Sequence, residues 1–373
     1  MRIGFDAKRA FNNNSGLGNY SRNTIRLLTD HYPENEYLLY TPEIKISLDF
    51  DLPPGSSVRQ PGINLGRYFR SWWRSVSLGS ELARDGVELY HGLSHDLPVR
   101  MGTSSVRTVV TVHDMIPYRR PELFSTANSM IYRKKITHSC NIADKIIAIS
   151  VQTKNDMEEI LNIDPARIEV IYQGCDPAYY IKADAEARNR VKLKYDLPSE
   201  YILSVGTLEP RKNLPGIIRA MRLGGLDCGL VVAGKKTPYL KTILGAIDAA
   251  GLKNVRFLEN VPVADLAAIY QSAEVFVYPS FYEGFGIPIL EALSSGTPVI
   301  TSKGGCFNET AGNDSMFVDP HDNEELAAAL KTVLTDSSVR KKMITGGLDH
   351  ALSFRHDRIA ENLMTVYKSA LKI

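Results

Sequence analysis

Two glutamates, Glu283 and Glu291, flank a stretch whose residue types suit a phosphorylated ligand: Glu283-Gly284-Phe285-Gly286-Ile287-Pro288-Ile289-Leu290-Glu291. The residues before it, Val275 to Tyr278, are β-branched and aromatic and read as a short buried strand. Pro288 has no amide hydrogen and is tolerated only in a first helical turn, so a helix is predicted from about Ile287 to Ser294. Gly296 and Pro298 end it. Glu283 then lies in the strand-to-helix loop and Glu291 one turn inside. The amides of Gly284, Phe285 and Gly286 fall at the positive end of the helix, a place that takes an anion, phosphate above all. Carboxylates beside such a place suit hydroxyl groups. Together they point to a phosphorylated sugar.

A second charged group is expected to serve the same ligand. In Gly206-Thr207-Leu208-Glu209-Pro210-Arg211-Lys212-Asn213 a basic pair follows a strand and a glycine and precedes a helix. Arg211 and Lys212 there are well placed to neutralise phosphate oxygens; the bland alternative is an exposed charged loop. His113 closes the strand Thr108–His113, where ligands bind in open α/β sheets. It is either a site residue or a core imidazole bonded to backbone. Gly16 and Gly18 lie in a polar loop after the first strand, but this G-x-G lacks the third glycine of a dinucleotide fingerprint. Asp49-Phe50-Asp51 has the D-x-D form of a metal site, yet it precedes Pro53-Pro54-Gly55 and reads as a solvated loop.

Strands and helices alternate in both halves. Strands are expected at 2–6, 37–40, 89–91, 108–113, 145–149 and 168–172, with 42–62 loop-rich. A second series covers 201–206, 230–234, 255–258, 275–278 and 299–300. Alternation of this kind implies parallel sheets covered by helices on both faces. The rhythm breaks at 173–189, which marks a domain boundary. A last helix is expected over Arg358 to Leu371, capped by Asp357.

Bulk properties exclude several classes. The 373 residues, 44% hydrophobic and 23% charged, are those of a globular protein of two or three domains. A net charge of +2 gives no case for a nucleic-acid partner. Four scattered cysteines read as reduced thiols, without disulfide or zinc. No apolar run exceeds five residues, and Asp6 comes too early for a signal peptide, so a cytoplasmic protein is expected. In 65–76, Leu65, Tyr68, Phe69, Trp72, Trp73 and Val76 form one apolar face beside Arg67, Arg70 and Arg74. That face either packs on the first sheet or rests peripherally on the inner face of an anionic membrane.

Several motifs resemble the retaining glycosyltransferases of family 4: E-G-F-G-I-P-I-L-E, G-T-L-E-P-R-K-N, the G-L-G loop, V-H-D and I-A-I-S-V-Q-T-K. The resemblance runs from Gly4 to about Tyr367. It implies the GT-B fold: α/β, two Rossmann-like domains facing a cleft. An acceptor-side domain would span 1–176 and a nucleotide-sugar domain 177–355, with helix 356–373 returning to the first. It implies a donor that is a nucleotide diphosphate sugar, with GDP-mannose the guess, and a saccharide or lipid-linked saccharide acceptor. By the same resemblance Glu291 holds ribose hydroxyls, and Glu283 and His113 lie by the transferred sugar. Arg211, Lys212, Gly16, Gly18 and the 284–286 loop meet the diphosphate, and residues 91–98 face the acceptor. No metal and no cofactor is called for. Two other classes stay open on sequence: a glycoside hydrolase using Glu283 and Glu291, and a nucleotide-sugar-binding protein without turnover. A dehydrogenase is disfavoured because neither half holds a full G-x-G-x-x-G. Gln173-Gly174-Cys175-Asp176 and Phe354-Arg355-His356 depart from the usual family residues at those places.

Overall fold

The computed structural model describes residues 1–13, 16–44, 50–62, 72–101 and 105–373. The chain divides into two compact units, Met1–Gly174 with Arg355–Ile373, and Cys175–Phe354.

In the first unit seven parallel strands form one sheet: β1 Arg2–Asp6, β2 Glu36–Tyr40, β3 Ser56–Arg59, β4 Leu89–Gly92, β5 Arg107–Val112, β6 Lys145–Ala148 and β7 Ile168–Val170. Their order is β3-β2-β1-β4-β5-β6-β7. Side chains alternate across the sheet as the pleat requires. Ile3, Phe5, Tyr37, Leu39, Leu89 and Ile147 enter one core, while Leu38, Tyr40, Tyr90, Val110, Ile146 and Ala148 enter the other. Helix Gly16–His31 covers the first of these faces. The last helix, His356–Leu371, adds Ile359, Leu363, Met364, Val366 and Tyr367 to that same core, so the chain's end completes the first unit.

The structure differs from the sequence-based expectation at two places. Ser56–Arg59 is a strand and not loop, because an edge position in a parallel ladder with β2 supplies its hydrogen bonds without an apolar pattern. Asp357 does not cap the last helix. Arg355 occupies the N-cap, and Asp357 pairs with it from the first turn.

The second unit has six parallel strands: β8 Tyr201–Val205, β9 Gly229–Ala233, β10 Val255–Leu258, β11 Val275–Tyr278, β12 Val299–Ser302 and β13 Met316–Val318. Their order is β10-β9-β8-β11-β12-β13, the doubly wound order of a Rossmann unit. The order reverses between β8 and β11, so a crevice opens beyond their carboxyl ends. On the other side of β8, Gly234 after β9 permits a close approach of the two loops: its φ is 157°, and a Cβ would stand 1.9 Å from the Gly206 carbonyl oxygen.

Candidate active site

The loops after β8 and β11 bring together the residues singled out in the second unit. The helix after β11 runs Ile287–Ser294, with Gly286 at its N-cap at φ 96° and Pro288 in its first turn. After β8 the chain makes a tight turn over Pro210–Lys212 and enters the next helix through Asn213, whose side-chain amide donates to the Pro320 carbonyl at 2.7 Å. This turn carries Arg211 and Lys212 to Glu283.

The basic pair is not an exposed loop. Lys212 Nζ donates to Glu283 Oε1 at 2.7 Å and to the Tyr278 hydroxyl, and Arg211 pairs with the other carboxylate oxygen. Arg211 also donates to the Tyr282 carbonyl at 2.9 Å and to Glu209. Glu283 is 8% exposed. Burial pushes its pKa up, but the Arg211 and Lys212 charges outweigh burial and hold it at about 2. Burial, then Arg211, lowers the Lys212 pKa against the opposing pull of Glu283. The site is therefore a buried, fully hydrogen-bonded ion cluster with two cations on one carboxylate, and Glu209 at its edge.

Glu291 lies in a different network. Its carboxylate accepts from the Tyr270 hydroxyl at 2.9 Å and also from Tyr179. Burial raises its pKa to about 7, with the two tyrosine donors partly offsetting and Asp176 adding to the rise. Two glutamates eight positions apart thus sit at opposite ends of the carboxyl range. No cation pairs with Glu291 among the described residues, and the two carboxylates share no hydrogen-bond partner there.

The loop between them is braced from behind by helix Cys306–Ala311. Cys306 Sγ donates to the Glu283 carbonyl at 3.3 Å, and Thr310 Oγ1 to the Phe285 carbonyl at 2.6 Å. The Phe285 ring packs edge-on against Phe354. Tyr278, Tyr270, Tyr179, Cys306 and Thr310 were not legible as site residues. Of these only Tyr278, at a strand's carboxyl end, carried a positional signal.

In the first unit His113 is 6% exposed. Its Nε2 donates to the Leu93 carbonyl at 2.8 Å, which leaves Nδ1 as the lone-pair nitrogen. Its backbone amide donates to His95 Nδ1 at 3.3 Å, and Tyr20 meets its ring edge-on at 4.5 Å. Burial, then His95, lowers its pKa to about 3, so the imidazole is neutral at physiological pH. His91 does not face a ligand. It is fully buried, with Nδ1 bonded to the Tyr367 hydroxyl at 2.6 Å and Nε2 to Thr111 at 2.8 Å, because its side chain points into the core beneath the last helix. Of the 91–98 stretch, Ser94, His95 and Asp96 line a cavity instead.

The two glycines of the N-terminal loop differ. Gly16 is exposed with open space about it, whereas a Cβ on Gly18 would stand 1.8 Å from the Asn13 carbonyl oxygen. Gly18 is thus required for packing where helix Gly16–His31 begins. Of the D-x-D, Asp49 lies outside the described residues, Phe50 is buried against Phe11, and Asp51 is exposed. No group of three metal-ligating side chains occurs among the described residues. Residues 65–71 of the apolar stretch also lie outside them. Beyond these, Trp72 is 55% exposed, but Trp73 is buried and donates its Nε1 to Glu81 at 2.7 Å. Arg74 is not a solvated cation: Asp6, at 2.8 Å, and Asp96 both hold it. No helix among the described residues is long and apolar enough to cross a membrane.

Comparison with known proteins places these units. Residues 15–179 match the model of Glycosyltransferase Family 4, and residues 186–349 that of Glycosyl transferases group 1. O-antigen chain mannosyltransferase B of Escherichia coli is 31% identical over 287 residues, covering 75% of this chain and 74% of that one. The chain belongs to glycosyltransferase family 4. Sucrose-phosphate synthase from Thermosynechococcus elongatus superposes with a TM-score of 0.80 at 20% identity, over 99% of this chain and 98% of that one. The Anabaena protein HepE, solved in complex with UDP and glucose, gives 0.78 at 18% identity over 99% and 100%. This family 4 glycosyltransferase therefore has the two-unit GT-B architecture. Its Arg211, Lys212 and Glu283 lie at the switch point of the second sheet, where a doubly wound unit takes its ligand.

Proposed function

We propose that this glycosyltransferase moves a mannosyl group from GDP-mannose to a saccharide or lipid-linked saccharide, with retention and without a metal ion. The observation that carries the reading is the Arg211–Lys212–Glu283 cluster at the carboxyl ends of β8 and β11. Breaking the anomeric carbon–oxygen bond sends the electron pair onto the diphosphate and leaves an oxocarbenium-like sugar. Arg211 and Lys212, held rigidly by Glu283, Tyr278 and the Tyr282 carbonyl, present preorganised positive charge to that developing negative charge. Glu283, ionised at all working pH values, keeps a carboxylate beside the sugar as positive character grows on it. The acceptor hydroxyl bonds to the anomeric carbon, and its proton leaves with the departing diphosphate. Glu291 accepts hydroxyl donors at the ribose, in the place its two tyrosine partners mark. His113, neutral, serves as a hydrogen-bonding wall for the sugar and not as a proton donor.

The mannosyl assignment draws on the O-antigen mannosyltransferase relative, and the HepE complex keeps UDP as the competing nucleotide. The hydrolase alternative fits less well, since it needs one carboxyl to give a proton to the bond that the other attacks, and these two lie in separate networks. Thermal-shift titration with GDP, UDP, ADP and dTDP tests the donor. GDP should raise the unfolding temperature most. Failure of all four to shift it would remove the nucleotide-sugar reading, and a larger shift with UDP would replace the base.

A further inference from the structure

The first unit has a switch point of its own, between β1 and β4, and a cavity of about 230 Å³ lies beside it. Lys8 and Arg9 follow β1, Ser94 to Asp96 follow β4, and Lys135 closes the cavity from helix Thr126–Ile142. None of the donor assignments uses it. Its charge is unbalanced. Arg74 is held by Asp6 and Asp96, and Lys135 by Asp96 at 2.7 Å. Lys8 and Arg9 have no carboxylate within pairing distance among the described residues, and both are only partly exposed. Burial, then Arg74, lowers the Lys8 pKa against the pull of Asp6, with Arg9 and Lys135 adding to the crowding. Positive charge crowded in this way without a counter-ion is relieved by an incoming anion.

Two further features tie the cavity to the chemistry. His95, in its wall, has a left-handed backbone at φ 60°, a conformation a non-glycine residue keeps only where its surroundings impose it. Its amide donates to the Thr111 carbonyl and its Nδ1 accepts from the His113 amide, so the cavity adjoins the histidine assigned to the transferred sugar. The turn carrying Arg74, Trp73–Ser77, is wound as a π-helix, a form enriched at functional sites.

We propose that this cavity binds a phosphoryl group carried by the acceptor, with Lys8 and Arg9 as its main partners. Phosphoryl oxygens carrying two negative charges can accept from both cations at once, where a neutral saccharide would leave them unpaired. The proposal rests on the transferase reading and narrows its acceptor to a phosphorylated one. The diphosphate of a polyprenyl-linked saccharide and the phosphate of a sugar phosphate both bring two negative charges on phosphoryl oxygens; exposed Ile131 and Tyr132 in the lining would meet an apolar chain in the first case.

Calorimetric titration of the full chain with inorganic pyrophosphate tests it. Wild type should bind at two sites, the donor cluster and this cavity. Lys8→Gln/Arg9→Gln should retain one, losing the other at least tenfold in affinity, with nucleotide-sugar affinity and unfolding temperature unchanged. Should the double variant unfold, Lys8→Gln alone should weaken the same site at least threefold. An equal number of sites at equal affinity in wild type and variant would overturn the proposal. So would a parallel loss of nucleotide-sugar affinity, which would assign the two cations to the donor. If wild type binds no nucleotide sugar at all, the transferase reading fails instead. Farnesyl diphosphate and glucose 6-phosphate then separate the sources. Whichever binds more tightly and is weakened in the variant identifies a lipid-borne or a sugar-borne phosphate; neither being weakened counts against the proposal.

Discussion

Raising the pH from 6 to 8 should tighten binding of a nucleotide sugar about tenfold, with Glu291 responsible. Burial raises this carboxyl to about 7, with hydroxyl donors from Tyr270 and Tyr179 only partly offsetting. As a carboxylate it can accept two ribose hydroxyls; protonated, it must give up one acceptor position. With a pKa of about 7, roughly one molecule in eleven is ionised at pH 6 and roughly ten in eleven at pH 8. If only the ionised form binds, the affinities differ by about tenfold, or about 1.4 kcal/mol. A nucleotide sugar is the right probe because its diphosphate diester has no proton to lose in this range. Calorimetry in buffers of different ionisation enthalpy should show nearly one proton released per ligand bound at pH 6 and almost none at pH 8. Glu291→Gln should bind weakly with a flat pH profile, and Glu291→Ala should lose nucleotide affinity more than it slows the chemical step. A flat wild-type profile, or an equal slope in Glu291→Gln, would refute the ribose assignment.

Other outcomes follow from the same geometry. Because the Arg211 and Lys212 charges depress Glu283 from the ordinary 4.5 to about 2, its contribution to stability is present above pH 4.5 and is lost as pH falls towards 2. By pH 3 about 2 kcal/mol of it is gone, and a denaturation series from pH 6 to 3 in wild type and Glu283→Gln should show that loss only in wild type. Glu283→Ala should depress turnover and also destabilise the fold by about 3 kcal/mol or more, since it strands two buried cations; denaturant unfolding measures this. Activity should survive chelation by EDTA, and a loss restored by manganese or magnesium would revive the Asp49–Asp51 segment as a metal site. Tyr367→Phe leaves the buried His91 without its Nδ1 partner and should cost about 1–3 kcal/mol, read as a lower unfolding temperature.

The second unit's site was legible because its signals are local. Pro288 fixes where a helix can start, and strand-glycine-basic pair and strand-loop-helix are contiguous in sequence, so the bounds Ile287–Ser294 could be read directly. What could not be read is long-range pairing. Nothing near Arg211 says that Glu283, 72 positions on, takes both cations, or that Tyr270 and Tyr179 bracket Glu291 and lift its pKa. His91 shows the limit from the other side. A histidine at a strand's carboxyl end looks like a site residue, but its partner Tyr367 is 276 positions away and turns it into core. For Trp73 and Arg74 the sequence offers a face and its edge but not their partners: the indole meets Glu81 eight positions on, and the guanidinium meets Asp6 and Asp96, 68 and 22 positions away.

The central claim, a glycosyl transfer driven by charge on a departing diphosphate, is tested most directly by nucleotide release. GDP formation from GDP-mannose should be slow alone and should accelerate on adding a phosphorylated saccharide acceptor, with Arg211→Met and Lys212→Met each lowering the accelerated rate at least a hundredfold. Release at the same rate with and without any acceptor, or undiminished release in both variants, would contradict it.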